Sequence, residues 1–268
     1  MINKVIHYCW FGNNELSSEA KKCIESWKKY CPDYKIIEWN ERNFNINICN
    51  YVRQAYQNKK WAFVSDYARF WIIYNYGGIY FDTDVELIKP LDNLINEDSF
   101  MGCEKIGQCA PGLGIGANKG NLLYKEVLDY YNSHDFVKPD GSLDLTTVVV
   151  NTSTILKKHN WKPDNSIQTI LGTKIYPPEY FNPMDYESGK INITENTYSI
   201  HHYASSWLST SEKRIIQISR WCKNKFGEKK GDKIGKVINS PYRFWAKVEK
   251  IGIKNTMEIL KDNLLRGN

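Results

Sequence analysis

The residues best suited to chemistry in this sequence lie between Asp66 and Asp84. Asp82-Thr83-Asp84 directly follows a short apolar run, Ile79 to Phe81, of the kind that forms a buried strand. Two carboxylates at the end of a buried strand are costly to desolvate, and they repel each other unless a cation lies between them. Oxygen ligands of this kind suit Mn²⁺ or Mg²⁺, which usually keep room for substrate phosphates. A solvated turn is the commoner meaning of an Asp-x-Asp tripeptide taken by itself, so Asp82 and Asp84 are at this point candidates for a divalent-cation site.

A second charged pair lies on the helix that we predict before this strand. Apolar residues recur at helical spacing from Ala62 to Tyr74, and Gly77-Gly78 supplies a helix stop. Asp66 and Arg69 are three positions apart, so they share one helix face. A surface ion pair is the simplest interpretation, but Phe70 and its apolar neighbours make this helix too hydrophobic for a free surface element. The pair therefore becomes a candidate for the same site as the strand-end aspartates.

Together these residues form a pattern that resembles a known family. Ser65-Asp-x-x-Arg69, followed by Gly77-Gly-x-Tyr-x-Asp-x-Asp84, is similar to the sugar-nucleotide site of glycosyltransferase family 32. This DXD-motif group is related to the glucosyltransferase domains of large clostridial toxins. The resemblance is strongest from Lys4 to Pro90. It implies a GT-A type α/β domain that moves a sugar from a nucleotide donor, foremost a UDP-sugar, to a hydroxyl group.

The resemblance also implies roles for individual residues. It assigns catalysis to Asp66, Arg69 and Asp84. It assigns donor binding to these side chains: Trp10, Asp66, Arg69, Asp82, Thr83 and Trp207. It assigns the Mn²⁺ or Mg²⁺ shell to another set: Asp82, Asp84, His202 and Ser205. His201 stands beside His202, and the sequence leaves the choice between the two open while favouring His202.

Further implications of the resemblance concern the reaction and its setting. The related enzymes retain the anomeric configuration, and we expect the same here. The acceptor would be a glycan or a lipid-linked oligosaccharide, in the synthesis of bacterial surface or capsular polysaccharide. Two alternatives remain open: a haloacid dehalogenase-like phosphatase that uses Asp82 as nucleophile, and a non-catalytic adaptor that binds a sugar nucleotide. The phosphatase motif needs Thr or Val where this chain has Glu86.

The order of predicted elements indicates an α/β fold. A strand at Lys4 to Cys9 precedes a helix that Ser17 or Ser18 can cap and that runs to about Tyr30. A second strand, Tyr34 to Trp39, is followed by a short helix at Tyr51 to Gln57. Alternation of this kind predicts a mixed, largely parallel sheet covered by helices.

Charge is distributed unevenly along the 268 residues. Residues 212–268 hold fifteen Lys or Arg and six Asp or Glu, although the whole chain has a formal charge of only +6. We therefore predict a GT-A catalytic domain at 1–210 and a basic, amphipathic helical appendage at 211–268. Basic residues mixed with aromatic ones are typical of a helix that binds an anionic membrane surface, and they fit equally well with helices that pack on the catalytic domain and leave their lysines solvated. We expect no nucleic acid partner.

The N-terminus has no long apolar run, and no segment approaches the length of a membrane-spanning helix. The seven cysteines include no Cys-x-x-Cys pair, which favours reduced thiols. We expect a cytoplasmic protein, placed peripherally on the inner face of the plasma membrane.

Overall fold

The computed structural model describes residues 1–203, 209–253 and 255–258. The chain forms two compact units. The first contains residues 1–183 and 192–202, and the second contains residues 184–191 and 203–268. The sequence places a domain boundary near Thr210, and it gives no sign that the short segment 184–191 groups with the C-terminal residues.

The first unit alternates strands and helices along most of its length. Its strands are β1 (Val5–Cys9), β2 (Lys35–Trp39), β3 (Gly78–Tyr80), β4 (Val85–Leu87), β5 (Ser99–Lys105), β6 (Gln108–Cys109), β7 (Ile115–Ala117), β8 (Gln168–Ile170), β9 (Thr173–Tyr176) and β10 (Ser199–His201). Its helices are α1 (Ser18–Tyr30), α2 (Asn50–Gln57), α3 (Trp61–Tyr76), α4 (Leu122–Asn132) and α5 (Val148–Lys158). Short 3-10 turns lie at Leu94–Asn96, Pro111–Leu113 and Pro178–Tyr180.

The main sheet is mixed and mostly parallel. Its strand order is β2-β1-β3-β7-β5-β9-β8, and β6 pairs with β5. Following the pairings across the sheet, β2, β1, β3, β5 and β9 run in one direction, whereas β7 and β8 run in the other. The predicted α/β class with a largely parallel sheet is confirmed.

Two hydrophobic clusters share the side chains of the central strands. Tyr80 of β3 belongs to the cluster that includes α2 to α5, whereas Ile79 and Phe81 belong to the cluster that includes α1. Successive side chains of a strand point to opposite faces of the sheet. Asp82 therefore follows Tyr80 toward the face on which α3 lies.

Helix α3 is the most deeply buried helix beside this strand. It contacts α2, α4, β1 and β3, so apolar residues are needed on most of its circumference. Gly77 ends it with a positive φ of 68°, a conformation that glycine adopts at no steric cost. Burial on most sides also explains how Asp66 and Arg69 come to be only 7% and 4% exposed.

The chain between β3 and β4 connects two sheets. β3 belongs to the main sheet, whereas β4 pairs antiparallel with β10 in a separate two-stranded sheet. Asp82, Thr83 and Asp84 occupy this connection, and a turn is closed there by the Val85 N–H, which donates to the Asp82 carbonyl over 3.1 Å. The predicted motif therefore lies on a turn between two sheets.

Outside residues 184–191, the described part of the second unit is mostly helical. Its helices include α6 (Thr210–Phe226), α7 (Glu228–Ile238) and α8 (Ser240–Ile251). α6 begins with a capping box between Ser209 and Glu212. α6 and α7 pack closely at Gly231, where a Cβ atom would lie 2.5 Å from the Cys222 carbonyl oxygen. Among the described residues, no helix is long and apolar enough to span a membrane.

Candidate active site

Asp82 is held in place by three neighbours. The Tyr80 hydroxyl donates to Asp82 Oδ1 over 2.8 Å, and Arg69 Nη2 donates to the same oxygen over 3.1 Å. The Asp82 backbone N–H donates to the carbonyl of Gly112 over 2.8 Å. A Cβ on Gly112 would lie 1.9 Å from Asp82 Oδ2, so only glycine fits beside this carboxylate. The side chain is 33% exposed, and it therefore has one fixed oxygen and an accessible flank.

Arg69 joins Asp82 to Asp66. Its Nη2 lies 3.1 Å from Asp66 Oδ1 as well as from Asp82 Oδ1, so one guanidinium serves two carboxylates. Removing one partner of an ion pair buried in this way destabilises the folded protein strongly, because the remaining charge is left buried without compensation. Because one positive charge faces two carboxylates, the group has an excess of negative charge at the strand end when both are ionised.

The environment of Asp66 opposes its ionisation. Burial, helped by the charge of Asp82, raises the pKa of Asp66 to about 7, although Arg69 and a hydrogen bond from the Val148 backbone oppose the shift. Val148 is the first residue of α5, and Thr147 caps that helix by accepting from the Val150 N–H. The carboxyl group therefore lies at a helix N-terminus, where a negative charge is stabilised. At neutral pH this group can accept or donate a hydrogen bond.

Asp84 lies beside His201. His201 Nε2 is 3.2 Å from Asp84 Oδ2, and the two side chains are 13% and 14% exposed. The sequence favours His202 for this position, and here the structure differs. His202 Nε2 lies 2.7 Å from Glu86 Oε2. Adjacent residues at the end of β10 point to opposite faces, so only His201, which stands opposite Val85, turns toward Asp84.

Several carboxylates surround His201. Burial lowers the pKa of His201, but the combined effect of Asp84, Asp82 and Glu104 is larger, so the net shift is upward. Burial also raises the pKa of the Glu104 carboxyl. The imidazole therefore stands where a cation is favoured, whether that cation is a proton or a metal ion.

Trp10 and Thr83 lie at the same edge of the sheet as Asp82. β1 and β3 are adjacent and parallel, so the residues that follow them lie side by side. Trp10 is half-buried, and its Nε1–H donates to the Asn14 carbonyl over 2.7 Å. Thr83 is half-buried as well. The predicted residues Ser205 and Trp207 lie outside the described residues.

The structure adds residues to the site that the sequence did not single out for these contacts. Tyr80 stands inside the motif, and its spacing of two from Asp82 could have indicated a shared face. Gly112 makes room for Asp82, and no residue near Gly112 in the sequence signals that contact. The contact of Val148 with Asp66 has no local signal, because it depends on how α5 packs.

The donor set of this edge fits a divalent cation in its chemistry. Two carboxylates and an imidazole are the oxygen and nitrogen ligands that Mn²⁺ accepts. Across the described ranges, however, three or more His, Cys, Asp or Glu side chains nowhere come together in a ready-made metal cage. A cation here would need further ligands, such as donor phosphates.

Comparison with known proteins places this geometry in context. Residues 17–101 match the family model described as "Glycosyltransferase sugar-binding region containing DXD motif". The chain is 25% identical over 232 residues to "Inositol phosphoceramide mannosyltransferase 1" of Schizosaccharomyces pombe, a match that covers 82% of this chain and 66% of that protein. It therefore spans just under two thirds of that relative. It is also 25% identical over 218 residues to "Uncharacterized glycosyltransferase L373" of Acanthamoeba polyphaga mimivirus, covering 77% and 84%.

Two solved structures are similar in part. One is titled "PaToxG Glycosyltransferase", with a TM-score of 0.43, 18% identity, and 59% of this chain and 68% of that chain covered. The other is a glycosyltransferase involved in glycosylation of the major capsid of PBCV-1. It has a TM-score of 0.41 and 12% identity, and the match covers 75% and 94%.

Proposed function

We propose that this chain is a glycosyltransferase of the DXD-motif type that residues 17–101 resemble, and that it moves a sugar from a nucleotide donor to a hydroxyl group of a glycan or lipid-linked glycan. We propose a UDP-sugar as the first donor to test and retention of the anomeric configuration. Synthesis of a surface polysaccharide is the proposed setting, and it rests on the family resemblance alone.

One observation carries this proposal: the guanidinium of Arg69 is shared between a buried carboxyl, Asp66, and a partly exposed one, Asp82. This arrangement fixes two carboxyl groups near the carboxyl ends of β1 and β3. Asp66 is suited to accept hydrogen bonds from donor-sugar hydroxyls, and Arg69 holds it in orientation. Trp10 offers an aromatic ring at the same edge for stacking on a nucleobase.

We propose that Asp82, Asp84 and His201 hold Mn²⁺ or Mg²⁺ together with the donor diphosphate. The cation would supply charge stabilisation for the nucleotide leaving group. The chain's own part is to fix Asp82 through Tyr80 and Arg69 and to aim His201 at Asp84. We propose that the His202 side chain pairs with Glu86 and does not bind the cation.

The name of the fission-yeast relative suggests a narrower question about substrate. That protein is named for transfer of mannose to a ceramide lipid. We therefore include a mannosyl donor beside UDP-sugars, and lipid-linked beside free glycan acceptors. The phosphatase and adaptor alternatives are not favoured by the family match or by the relatives.

The test is donor hydrolysis, which needs no acceptor. Purified protein is incubated with UDP-sugars and GDP-sugars, with Mn²⁺ or with a chelator, and release of the nucleotide is measured. We expect slow, metal-dependent release from one donor class, and its loss in Asp84→Asn. Hydrolysis of phosphomonoesters in place of nucleotide sugars would support the phosphatase, and no turnover of any donor would support the adaptor.

A further inference from the structure

The second unit contains cations with different roles on α6. Lys223 contacts Glu187 and Glu228, and Arg220 donates to the Tyr186 carbonyl, so these two side chains hold the unit together. Three other cations of α6 face solvent: Lys213, Arg214 and Lys225. The helix has one acidic residue, Glu212, and its carboxylate serves in the capping box.

The solvent-facing residues of α6 form one row. Lys213, Gln217, Trp221 and Lys225 recur every four residues, which places them on one side of the helix, and Arg214 lies beside them. Trp221 is 52% exposed at the centre of this row. Its ring contacts Phe226 edge-on, with centroids 5.8 Å apart, and Lys225 Nζ lies 5.4 Å from the Trp221 ring. We call residues 213, 214, 217, 221 and 225 the α6 row.

A second basic row lies on α7, and it points elsewhere. Lys229, Lys230 and Lys233 are exposed together with Val237. Gly231 and Gly235 face α6, so residues 229, 233 and 237, which lie two positions away from them, face outward. The α6 row is likewise two positions from Ser219 and Lys223, which meet α7. The two rows therefore point away from each other, and one flat surface can contact only one of them.

We propose that the α6 row is a docking surface for an anionic phospholipid bilayer. An exposed Trp flanked by cations is what an interfacial helix uses, because indole settles at the headgroup level while Lys and Arg meet lipid phosphates. The α7 row lacks an aromatic ring, so charge alone would attract it. This proposal goes beyond glycosyl transfer, since it concerns the surface to which the protein binds.

The experiment is co-sedimentation of the full chain with vesicles of equal parts phosphatidylglycerol and phosphatidylcholine, and with vesicles of phosphatidylcholine alone. We expect binding to the anionic vesicles that falls as salt rises from about 50 to about 500 mM, because the Debye length shortens and charges are screened more strongly. Each basic residue near such a surface contributes about fivefold in affinity. The variant Lys213→Gln/Arg214→Gln/Lys225→Gln should therefore bind at least tenfold more weakly.

The chain offers matched controls for both parts of the surface. Lys229→Gln/Lys230→Gln/Lys233→Gln removes the same charge from the α7 row and should bind more tightly than the α6 triple variant. Trp245 of α8 is also 52% exposed, so Trp245→Ala is the partner of Trp221→Ala, and only the latter should lose binding. Circular dichroism and donor hydrolysis check that each variant is folded. Lys213→Arg/Lys225→Arg, which keeps the charge, should bind like the unaltered protein.

Several results would overturn the proposal. Equal losses in the two triple variants would mean that net charge alone attracts the protein. Equal binding to neutral vesicles, or no binding at low salt, would exclude an anionic surface. Binding to a single-stranded RNA through the α6 row, with none to vesicles, would identify a different polyanion. Because donor hydrolysis is measured separately, its failure tests the proposed enzyme activity and leaves the vesicle result standing.

Discussion

At the residue scale, the central feature of the site is the buried carboxyl group of Asp66 and the groups that stabilise it. Asp66 is neutralised in part by Arg69 and by the N-terminus of α5, yet burial still raises its pKa to about 7. The folded protein therefore holds a proton there, between about pH 4 and pH 7, that the unfolded chain lacks. Stability from this proton is fully present below pH 4 and is lost as the pH rises toward 7.

Asp66→Asn tests this account. The amide carries no charge, so the variant should not share the loss of stability that the unaltered protein shows as the pH rises from about 4 to about 7. The thermal midpoint of the variant minus that of the unaltered protein should therefore increase over this range and level off above it. Turnover should fall about ten- to a hundredfold, since a hydrogen bond from sugar to carboxylate is lost. Nucleotide affinity, measured by calorimetry, should stay. Loss of nucleotide binding would show that Asp66 contacts the nucleotide and not the sugar.

The two neighbouring histidines form a natural matched pair. His201→Ala should raise the Mn²⁺ concentration needed for half-maximal donor hydrolysis by about ten- to a hundredfold, as loss of a ligand or its positioning partner does. His202→Ala should leave it unchanged, because His202 pairs with Glu86. A shift in His202→Ala alone would restore the choice that the sequence favours.

At the element scale, the core of the fold follows from local patterns. The apolar periodicity of α3, the strand runs and the Gly77 stop are all local, and the elements form where the sequence predicts them. The orientation of the His201 side chain is not determined by neighbouring residues in the sequence. It depends on the antiparallel register of β10 with β4, which residues near His201 do not encode. The same holds for Gly112, whose partner Asp82 lies thirty residues earlier in the chain.

His7 of β1 gives a prediction about the central strands. It is 2% exposed, its Nδ1 accepts from Trp39 Nε1 over 3.0 Å, and Nε2 lies 3.0 Å from the Gly77 carbonyl. Only the neutral ring can accept at Nδ1 and donate at Nε2. Burial lowers the pKa of His7 to about 4.

Below about pH 6.5 the unfolded chain therefore binds a proton that the folded protein refuses, so His7 reduces stability as the pH falls from 6.5 to 4. The loss amounts to about 3 kcal/mol. Urea unfolding of His7→Gln should show a flatter decline over this range, although the variant starts from lower stability at pH 7.5. An unaltered slope in His7→Gln would place the acid sensitivity elsewhere.

At the scale of the whole molecule, segment 184–191 belongs with the C-terminal helices. Arg220 donates to the Tyr186 carbonyl, Lys223 contacts Glu187, and Asn224 donates to the Ser188 carbonyl. Ending the chain after residue 202 should therefore leave this segment without its partners. We expect a lower thermal midpoint and aggregation on heating.

A second deletion should repair the first. The Asn192 N–H donates to the Pro183 carbonyl over 3.0 Å, so the two ends of the segment are already adjacent. Replacing residues 184–191 by two glycines in the shortened chain should recover the thermal midpoint, measured by scanning calorimetry. If both shortened chains melt alike, the segment needs no partner.

The turn that carries the DXD motif also sets an order of events in time. Glu86 and His202, which meet across β4 and β10, are 116 residues apart in the chain. During synthesis, β3 and its aspartates leave the ribosome long before β10 exists, and at 5–20 residues per second the gap is about ten seconds. Throughout that interval the aspartates have no histidine beside them. With the cation site proposed above, the nascent chain should therefore be unable to retain a cation there, and should lack the proposed transfer activity, until nearly the whole first unit has been made.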